Sequence, residues 1–158
     1  MKLDLALREL HRSETSLAKD LRKVSQRHAA DHDIHYVTHD LAGWSADHVR
    51  GLAEAARHYD LELSGDVPET ILASIRTAIS TLAATRPEPG LLLLADLRRL
   101  HRKAAGVSLD WELLAQGAQA AKDTELLNLT QRCHPQTLRQ MKWTNAMLKT
   151  LSPQVITS

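Results

Sequence analysis

The stretch LDLALRELHRSETSLAKDLRKVSQRH, residues 3–28, decides the fold class, because its apolar side chains recur at alternating steps of four and three residues. At about 100° per residue, this spacing puts them on one face of a helix. The face consists of Leu3, Leu7, Leu10, Glu14, Leu17, Leu21, Val24 and His28. Glu14 is the only acidic residue on this otherwise mainly apolar face. The stretch therefore predicts an amphipathic helix over residues 3–29 with a carboxylate on its inward side.

Two further long helices follow from similar patterns, over residues 31–59 and 90–122. The first includes two polar residues, Ser45 and His48, on its apolar face, and the second is entirely apolar. The predicted core-facing residues are Ile34, Val37, Leu41, Ser45, His48, Leu52, Ala55 and Tyr59, followed by Leu93, Leu97, Leu100, Ala104, Val107, Trp111, Leu114, Ala118 and Ala121.

A fourth long helix is predicted over residues 124–150. Its predicted core-facing residues are Leu127, Gln131, His134, Leu138, Met141, Asn145 and Leu148. Pro135 excludes the usual hydrogen bond to the Gln131 carbonyl and disfavours helical geometry at His134, so we expect a kink or a restart. One interpretation is a small pocket at mid-bundle that involves Ser45, Gln131 and Pro135. The other is a helix that starts with Pro135 at its first position.

Composition favours an all-α fold in a single domain over residues 1–158. Leucine and alanine supply 27 and 21 residues, whereas valine, isoleucine and phenylalanine supply 6, 5 and 0. Helix formers are thus abundant and strand formers scarce. Short links join the first two helices and the last two, while about 30 residues, including a shorter helix predicted over 68–84, connect the two pairs. This pattern predicts an antiparallel four-helix bundle with one long crossover. An up-down-up-down bundle with an extra helix is the rival topology.

Several protein classes are disfavoured by composition and motifs. Cys133 is the single cysteine, so no internal disulfide forms, and a reducing cytoplasm is the expected location. No apolar run is long enough to span a membrane, and the charged N-terminus does not look like a secretion signal. The formal net charge of +1 argues against a nucleic-acid partner, and the run of cations from Arg98 to Lys103 is interpreted as a solvated helix face. The sequence has no Gly-rich phosphate loop or nucleophile elbow.

Polar residues on the core-facing stripes are the candidates for function, because burying a carboxylate or imidazole is costly unless it is paired or binds metal. In an antiparallel hairpin, opposed residues lie at equal distances from the turn. The midpoint between Glu14 and His48 is residue 31, and the midpoint between Glu112 and His134 is residue 123. Both midpoints fall in predicted turns. We therefore expect each pair to meet across its hairpin at a similar depth.

With these residues, the sequence resembles the ferritin-like superfamily, most nearly its small bacterial stress-protein members. The resemblance implies iron or manganese bound by a glutamate from each of two helices and a Glu-x-x-His motif from each of the others, with oxidase or peroxidase chemistry. Glu14, His48 and His134 match family ligands. The motif glutamates are replaced by Ser45 and Gln131. The resemblance therefore implies an eroded centre.

Two interpretations of this centre stay open. In one, Glu14, His48 and His134 bind a single iron, manganese or zinc ion, with Glu112 or water completing the shell. In the other, which we favour, no metal is bound and the side chains hydrogen-bond one another in a dry core. A two-metal enzyme is disfavoured because too few carboxylates are present.

Two other features are candidates for contacts. The first is a histidine series at spacings of four, three and four, which we expect to face outward as a solvated surface, a pH-sensitive contact or a surface metal site. Its members are His28, His32, His35 and His39. The second is the pair Trp143 and Met147, opposite the predicted core face of the fourth helix. This pair indicates either an interface with a second copy or a partner protein, or packing under the crossover.

The favoured hypothesis is a cytoplasmic ferritin-like bundle that acts as a binding, assembly or stress-related module rather than an enzyme. The alternatives are a metal-dependent oxidase or peroxidase with an unusual ligand set, and a helical adaptor for a partner protein.

Overall fold

The computed structural model describes residues 2–69 and 88–158, and all regular secondary structure in them is helical. The helices are α1 Leu3–Arg27, α2 His32–Ala56, a 3₁₀ turn Arg57–Tyr59, α3 Pro89–Ala120 and α4 Thr124–Thr157. The all-α prediction is confirmed for this part of the chain. From residue 70 onward, the helix predicted over 68–84 lies outside the described residues.

Aspartates begin two of the helices. A carboxylate oxygen of Asp31 accepts a hydrogen bond from the Ile34 N–H at 3.3 Å, and Asp123 accepts one from the Leu126 N–H at 3.0 Å. Each bond satisfies an amide that has no partner within the first turn of its helix. Lys122, with φ of 56°, is left-handed and reverses the chain between α3 and α4.

The fourth helix differs most from its prediction. It extends to Thr157 and passes through both Pro135 and Pro153 without a break. The restart at Pro135, one of the two alternatives expected there, is therefore wrong. A proline removes one amide donor from a helix, and the surrounding turns of this 34-residue helix are sufficient to continue it.

The helices pack around one main apolar core. Helix α1 contacts both α2 and α3, and α4 contacts α3 along its length and α2 less extensively. Contacts between α1 and α2 join residues at matching distances from the connecting turn, and so do contacts between α3 and α4. The contacting pairs are Ser25 with His35, Glu14 with His48, Ser108 with His134 and His101 with Thr144.

The burial pattern confirms the predicted stripe of α1 and corrects that of α4. In α1, every predicted core residue from Leu3 to Val24 is buried. In α4, the buried residues are Leu126, Leu129, Thr130, Cys133, Thr137, Gln140 and Thr144. The predicted core residues Gln131, Leu138 and Asn145 are instead exposed. The inward face of α4 is thus rotated by about one residue, or 100°, from the prediction.

Within residues 2–69 and 88–158, no helix combines the length and apolar character needed to cross a membrane.

Candidate functional site: a buried polar layer

Glu14 and His48 form the centre of a polar layer inside the bundle. The Nδ1 atom of His48 lies 2.7 Å from a carboxylate oxygen of Glu14, and both side chains are almost fully buried. Glu14 reaches this position because it continues the apolar face of α1, and His48 because it occupies the inward face of α2. The two residues predicted to meet across the first turn are therefore in direct contact.

The second ring nitrogen of His48 is also engaged. Its Nε2 atom lies 2.7 Å from the side-chain oxygen of Gln136 on α4. An imidazole whose two nitrogens both face oxygen acceptors can donate from both only when it is protonated. Burial alone would lower the pKa of His48, but the hydrogen bond and charge of Glu14, with smaller effects of Gln136 and Asp47, together outweigh burial and raise this pKa. The geometry thus favours an imidazolium between a carboxylate and an amide.

Trp111 completes the contacts of the Glu14 carboxylate. Its indole N–H donates to the same Glu14 oxygen at 2.8 Å, and its ring meets the edge of the His48 ring. All four helices therefore contribute a side chain to the layer, because Glu14 comes from α1, His48 from α2, Trp111 from α3 and Gln136 from α4. The other oxygen of Glu14 is buried, and none of the described residues donates a hydrogen bond to it.

Polar residues of α2 and α4 extend the layer. Gln140 donates from its amide nitrogen to the Ser45 hydroxyl at 2.9 Å and to the Leu41 carbonyl at 3.0 Å. The Thr137 hydroxyl is also buried, and it forms no hydrogen bond within the part of the chain that the structure describes. Burial raises the pKa of Cys133 to about 12, so its thiol stays protonated at neutral pH and is a poor nucleophile.

His134 and Glu112 lie at the margin of the bundle. The Nε2 atom of His134 lies 2.8 Å from the Ser108 hydroxyl, and its Nδ1 atom is 3.8 Å from a Glu112 carboxylate oxygen. The Glu112 side chain is 57% exposed, whereas that of Glu14 is 0% exposed. The two predicted pairs therefore occupy different environments, one dry and one open to solvent.

The donor set does not assemble as a metal site in the residues that the structure describes. In that part of the chain, no group of three or more His, Cys, Asp or Glu side chains is close enough to hold a metal ion. Glu14 and His48 could supply two ligands only if the bond between them broke. His134 instead contacts the hydroxyl of Ser108 on α3.

The structure does not bring Ser45 together with Gln131 and Pro135, the residues of the pocket that was one of two interpretations. Ser45 is buried and bonds Gln140, whereas Gln131 and Pro135 are exposed. The physical reason is the rotation of α4, which turns Cys133, rather than Gln131, toward the core.

The histidine series is divided between two helices, because His28 belongs to the end of α1, where the predicted α1 face also includes it. His28 ends α1, and its Nε2 atom lies 2.7 Å from the buried Asp96 of α3. His35 lies 2.7 Å from the Ser25 carbonyl across the turn. Only His32 and His39 are exposed, so the four imidazoles do not share a face.

Trp143 and Met147 are half-buried and pack against the main core. Their environment is therefore the side of the bundle rather than a freely exposed apolar patch.

A second ionic cluster joins α1 to α3 and was not predicted. Asp96 is fully buried and accepts hydrogen bonds from Arg27 at 2.8 Å and Arg99 at 2.9 Å, besides its contact with His28. Burial would raise the pKa of Asp96, but the hydrogen bond from His28 and the charges of both arginines lower it. The signal in the sequence is an aspartate directly after the apolar run Leu91–Ala95.

A shallow depression of about 180 Å³ lies where the end of α2 meets the start of α4. Its walls include Glu54, Glu125 and Asp123, and the Tyr59 hydroxyl donates a hydrogen bond to Asp123. Burial and this bond raise the pKa of Tyr59 to about 12. Asp123 also caps α4, which gives it a structural role.

The chemistry available to the polar layer is that of a self-contained ion pair. His48 has no ring nitrogen free to act as a base or ligand while it contacts Glu14 and Gln136. No match to the chain was found among protein-family models, curated proteins or solved structures.

Proposed function

We propose that this chain is a ferritin-like antiparallel bundle whose ancestral type of metal centre is replaced by an internal ion pair, and that it acts as a binding or assembly module rather than an enzyme. The observation that carries the proposal is the engagement of both His48 nitrogens, by Glu14 and by Gln136. A histidine that binds metal needs a deprotonated nitrogen directed at the ion, and here both nitrogens point to protein oxygens.

The contacts between helices support the ferritin-like topology. As residue numbers rise along α1, the numbers of the residues that it contacts on α2 and α3 fall. The same holds for α2 and its contacts on α4. Antiparallel neighbours show this pattern. The pairs between α1 and α3 are Leu3 with Gly117, Ser13 with Asp110, and Arg27 with Asp96. The pairs between α2 and α4 are Leu41 with Gln140 and His48 with Gln136. Beyond them, Tyr59 in the 3₁₀ turn after α2 bonds Asp123, which precedes α4. With these directions α2 runs parallel to α3, as in bundles with one long crossover connection.

The role of the ion pair in this proposal is to fix how the helices meet. A buried charge pair adds little net stability, because desolvation of both charges offsets most of their attraction. It penalises any other helix register, because a shifted α2 would leave the Glu14 carboxylate buried without His48. The module would therefore present a defined outer surface to its partner.

Metal analysis tests the proposal. Protein without a histidine tag, incubated with Fe²⁺, Mn²⁺ or Zn²⁺ and then desalted, should retain far less than one ion per chain. The same result is expected for His48→Ala and His134→Ala. A stoichiometric ion in the wild type that is lost in both variants would overturn the proposal.

The second candidate function is a metal-dependent oxidase or peroxidase, and the unpartnered Glu14 oxygen favours it. A buried carboxylate oxygen without a donor is unusual, and a bound cation would satisfy it. Aerobic addition of Fe²⁺ separates the two candidates. Oxidation faster than in buffer, and abolished by Glu14→Gln, would support the enzyme. A rate equal to buffer supports the module.

A further inference from the structure

The formal net charge of +1 hides a strong segregation of charge along the chain. Residues 19–28 and 96–103 together hold eight of the 20 Lys and Arg residues but only two of the 19 Asp and Glu residues. The eight cations are Lys19, Arg22, Lys23, Arg27, Arg98, Arg99, Arg102 and Lys103. The remainder of the chain is therefore acidic overall, and the total charge conceals both regions.

The fold brings the two basic segments side by side. Arg99 of α3 spans both acids, donating from Nε to Asp20 at 3.1 Å and from Nη1 to Asp96 at 2.9 Å. Arg27 of α1 donates to the same Asp96 oxygen at 2.8 Å, and Lys103 lies 2.8 Å from Asp20. Cations from both helices thus converge on two shared carboxylates. We call the surface formed by the eight cations the basic face.

The two acids do not neutralise the basic face toward solvent. Asp20 and Asp96 are buried, with 7% and 0% of their surfaces exposed, whereas none of the eight cations is buried. Among the described residues, five of the cations form no ion pair at all: Lys19, Arg22, Lys23, Arg98 and Arg102. The carboxylates lie beneath the surface and hold Arg27 and Arg99 in place, so part of the face is ordered before any partner binds.

We propose that the basic face binds the phosphate backbone of a nucleic acid. Charge complementarity supports a polyanion, because a dense group of cations gains affinity by releasing the counterions of neighbouring phosphates. Five of the eight cations are arginines, whose planar guanidinium groups match phosphate oxygens in pairs. This inference revises the expectation drawn from the net charge alone, and it does not depend on whether the polar layer binds metal.

The composition of the face favours a nucleic acid over an anionic membrane. Proteins that lie on membranes add exposed large apolar side chains to their cations, and these enter the acyl region. Among the described residues, the exposed large apolar side chains are Leu5, Tyr36, Leu91, Leu109, Leu113, Leu138 and Ile156. None of them lies within residues 19–28 or 96–103. The two basic segments therefore carry positive charge but no exposed large apolar side chain that could enter a membrane.

Fluorescence anisotropy with a labelled DNA duplex and a labelled single-stranded RNA, each of about 20 nucleotides or base pairs, tests the proposal over a range of salt concentrations. The wild type should bind at least one of them, with log K falling linearly against log salt. Arg98→Gln/Arg102→Gln should bind at least tenfold more weakly at low salt, with a slope shallower by about two. These arginines are exposed, so circular dichroism should show an unchanged fold.

Arg139→Gln/Lys142→Gln is the matched control, because it removes the same charge from exposed positions on α4. Its affinity should stay within about twofold of the wild type. Three outcomes would overturn the proposal: no binding of either nucleic acid by the wild type, an equal loss of affinity in the control, or binding only to vesicles containing phosphatidylserine. The last outcome would assign the face to a membrane.

Discussion

At the level of single residues, the burial of Glu14 beside His48 carries a large desolvation cost. Placing a charge in a dry core costs several kcal/mol, and a short hydrogen bond to an opposite charge repays it only when the geometry is good. The contact of 2.7 Å and the indole N–H of Trp111 meet that condition. The contact between Glu14 and His48 could be predicted from the helical periodicity of α1 and α2. The roles of Trp111 and Gln136 could not be predicted, because an indole looks apolar in a stripe and Gln136 lies outside the predicted face of α4.

Substitution of Glu14 by alanine should destabilise the fold by about 3–5 kcal/mol, because it leaves the His48 imidazole buried without its partner. Urea denaturation monitored by circular dichroism measures this change. Glu112→Ala is the control, since its side chain is largely exposed, and its effect should stay within about 0.5 kcal/mol.

A double variant separates the ion pair from simple loss of packing. Glu14→Leu/His48→Leu replaces both charges with apolar groups and should recover most of the stability lost in Glu14→Ala. A double variant no more stable than Glu14→Ala would contradict the claim that the loss in Glu14→Ala comes from leaving His48 unpaired.

At the level of the helix, predictability depended on whether the buried face is apolar. The period of α1 located its inward face because leucines dominate it. In α4, four of the seven buried residues are polar, namely Thr130, Thr137, Gln140 and Thr144. Apolar periodicity cannot identify such a face, since it does not count threonine or glutamine as core residues. Gln140, for example, is buried where it bonds Leu41 and Ser45 of α2. This is why α4 was predicted with the wrong rotation.

Thiol reactivity tests the rotation of α4. Cys133 is 4% exposed, and burial raises its pKa to about 12, so it should react with a disulfide reagent only after unfolding. Gln131→Cys/Cys133→Ser moves the thiol to an exposed position on the same helix and should react at the rate of a free thiol. Rapid modification of native Cys133 would contradict the assigned face.

Gly106 offers a test within α3. A methyl group added there meets no atom within 4 Å, so Gly106→Ala should gain helix propensity of about 0.5–1 kcal/mol. In Gly51→Ala, the added carbon would lie 2.9 Å from a terminal methyl of Leu129, and the gain should be smaller. Thermal unfolding compares the two. A loss of stability in Gly106→Ala would mean that the surroundings of α3 differ from those described.

At the level of the whole molecule, the direction of the helices and the placement of charge arise from contacts between segments far apart in sequence. Link lengths predicted a helical bundle with one long crossover. The structure confirms the helices in the described residues, and the crossover topology stays a prediction. The ionic cluster that joins α1 to α3 was not predicted, because Asp20 and Asp96 each lie beside the apolar stripe rather than on it. Only the packing of the helices reveals that Arg27 and Arg99 share Asp96. Total charge likewise gave no indication that cations from two helices meet on one face.

Acid should remove the stabilising contribution of the ionic cluster around Asp96, which joins α1 to α3. The pKa of Asp96 is lower in the fold than its unfolded value of about 3.9, so its carboxylate stabilises the fold above that pH. This contribution is lost as the pH falls through the lowered value. The difference in free energy of unfolding between the wild type and Asp96→Asn should therefore be largest above about pH 5 and shrink below pH 4.

The exposed Asp47, which pairs with Arg50, provides the control for this pH dependence. Asp47→Asn should change the free energy of unfolding by less than about 1 kcal/mol at every pH. Curves for the wild type and Asp96→Asn that stay parallel from pH 3 to 7 would contradict the stabilising role of the Asp96 carboxylate.

The protonation of His48 tests the self-contained ion pair most directly. Its raised pKa means that the imidazolium stabilises the fold below the unfolded pKa of about 6.5, and that this stability is lost as the pH rises through the folded value. Nitrogen-15 NMR of the histidine rings at pH 6.5, with His48→Gln for assignment, should show both His48 nitrogens protonated and unchanged by excess Zn²⁺. A His48 nitrogen that is unprotonated, or that shifts when Zn²⁺ is added, would contradict the account.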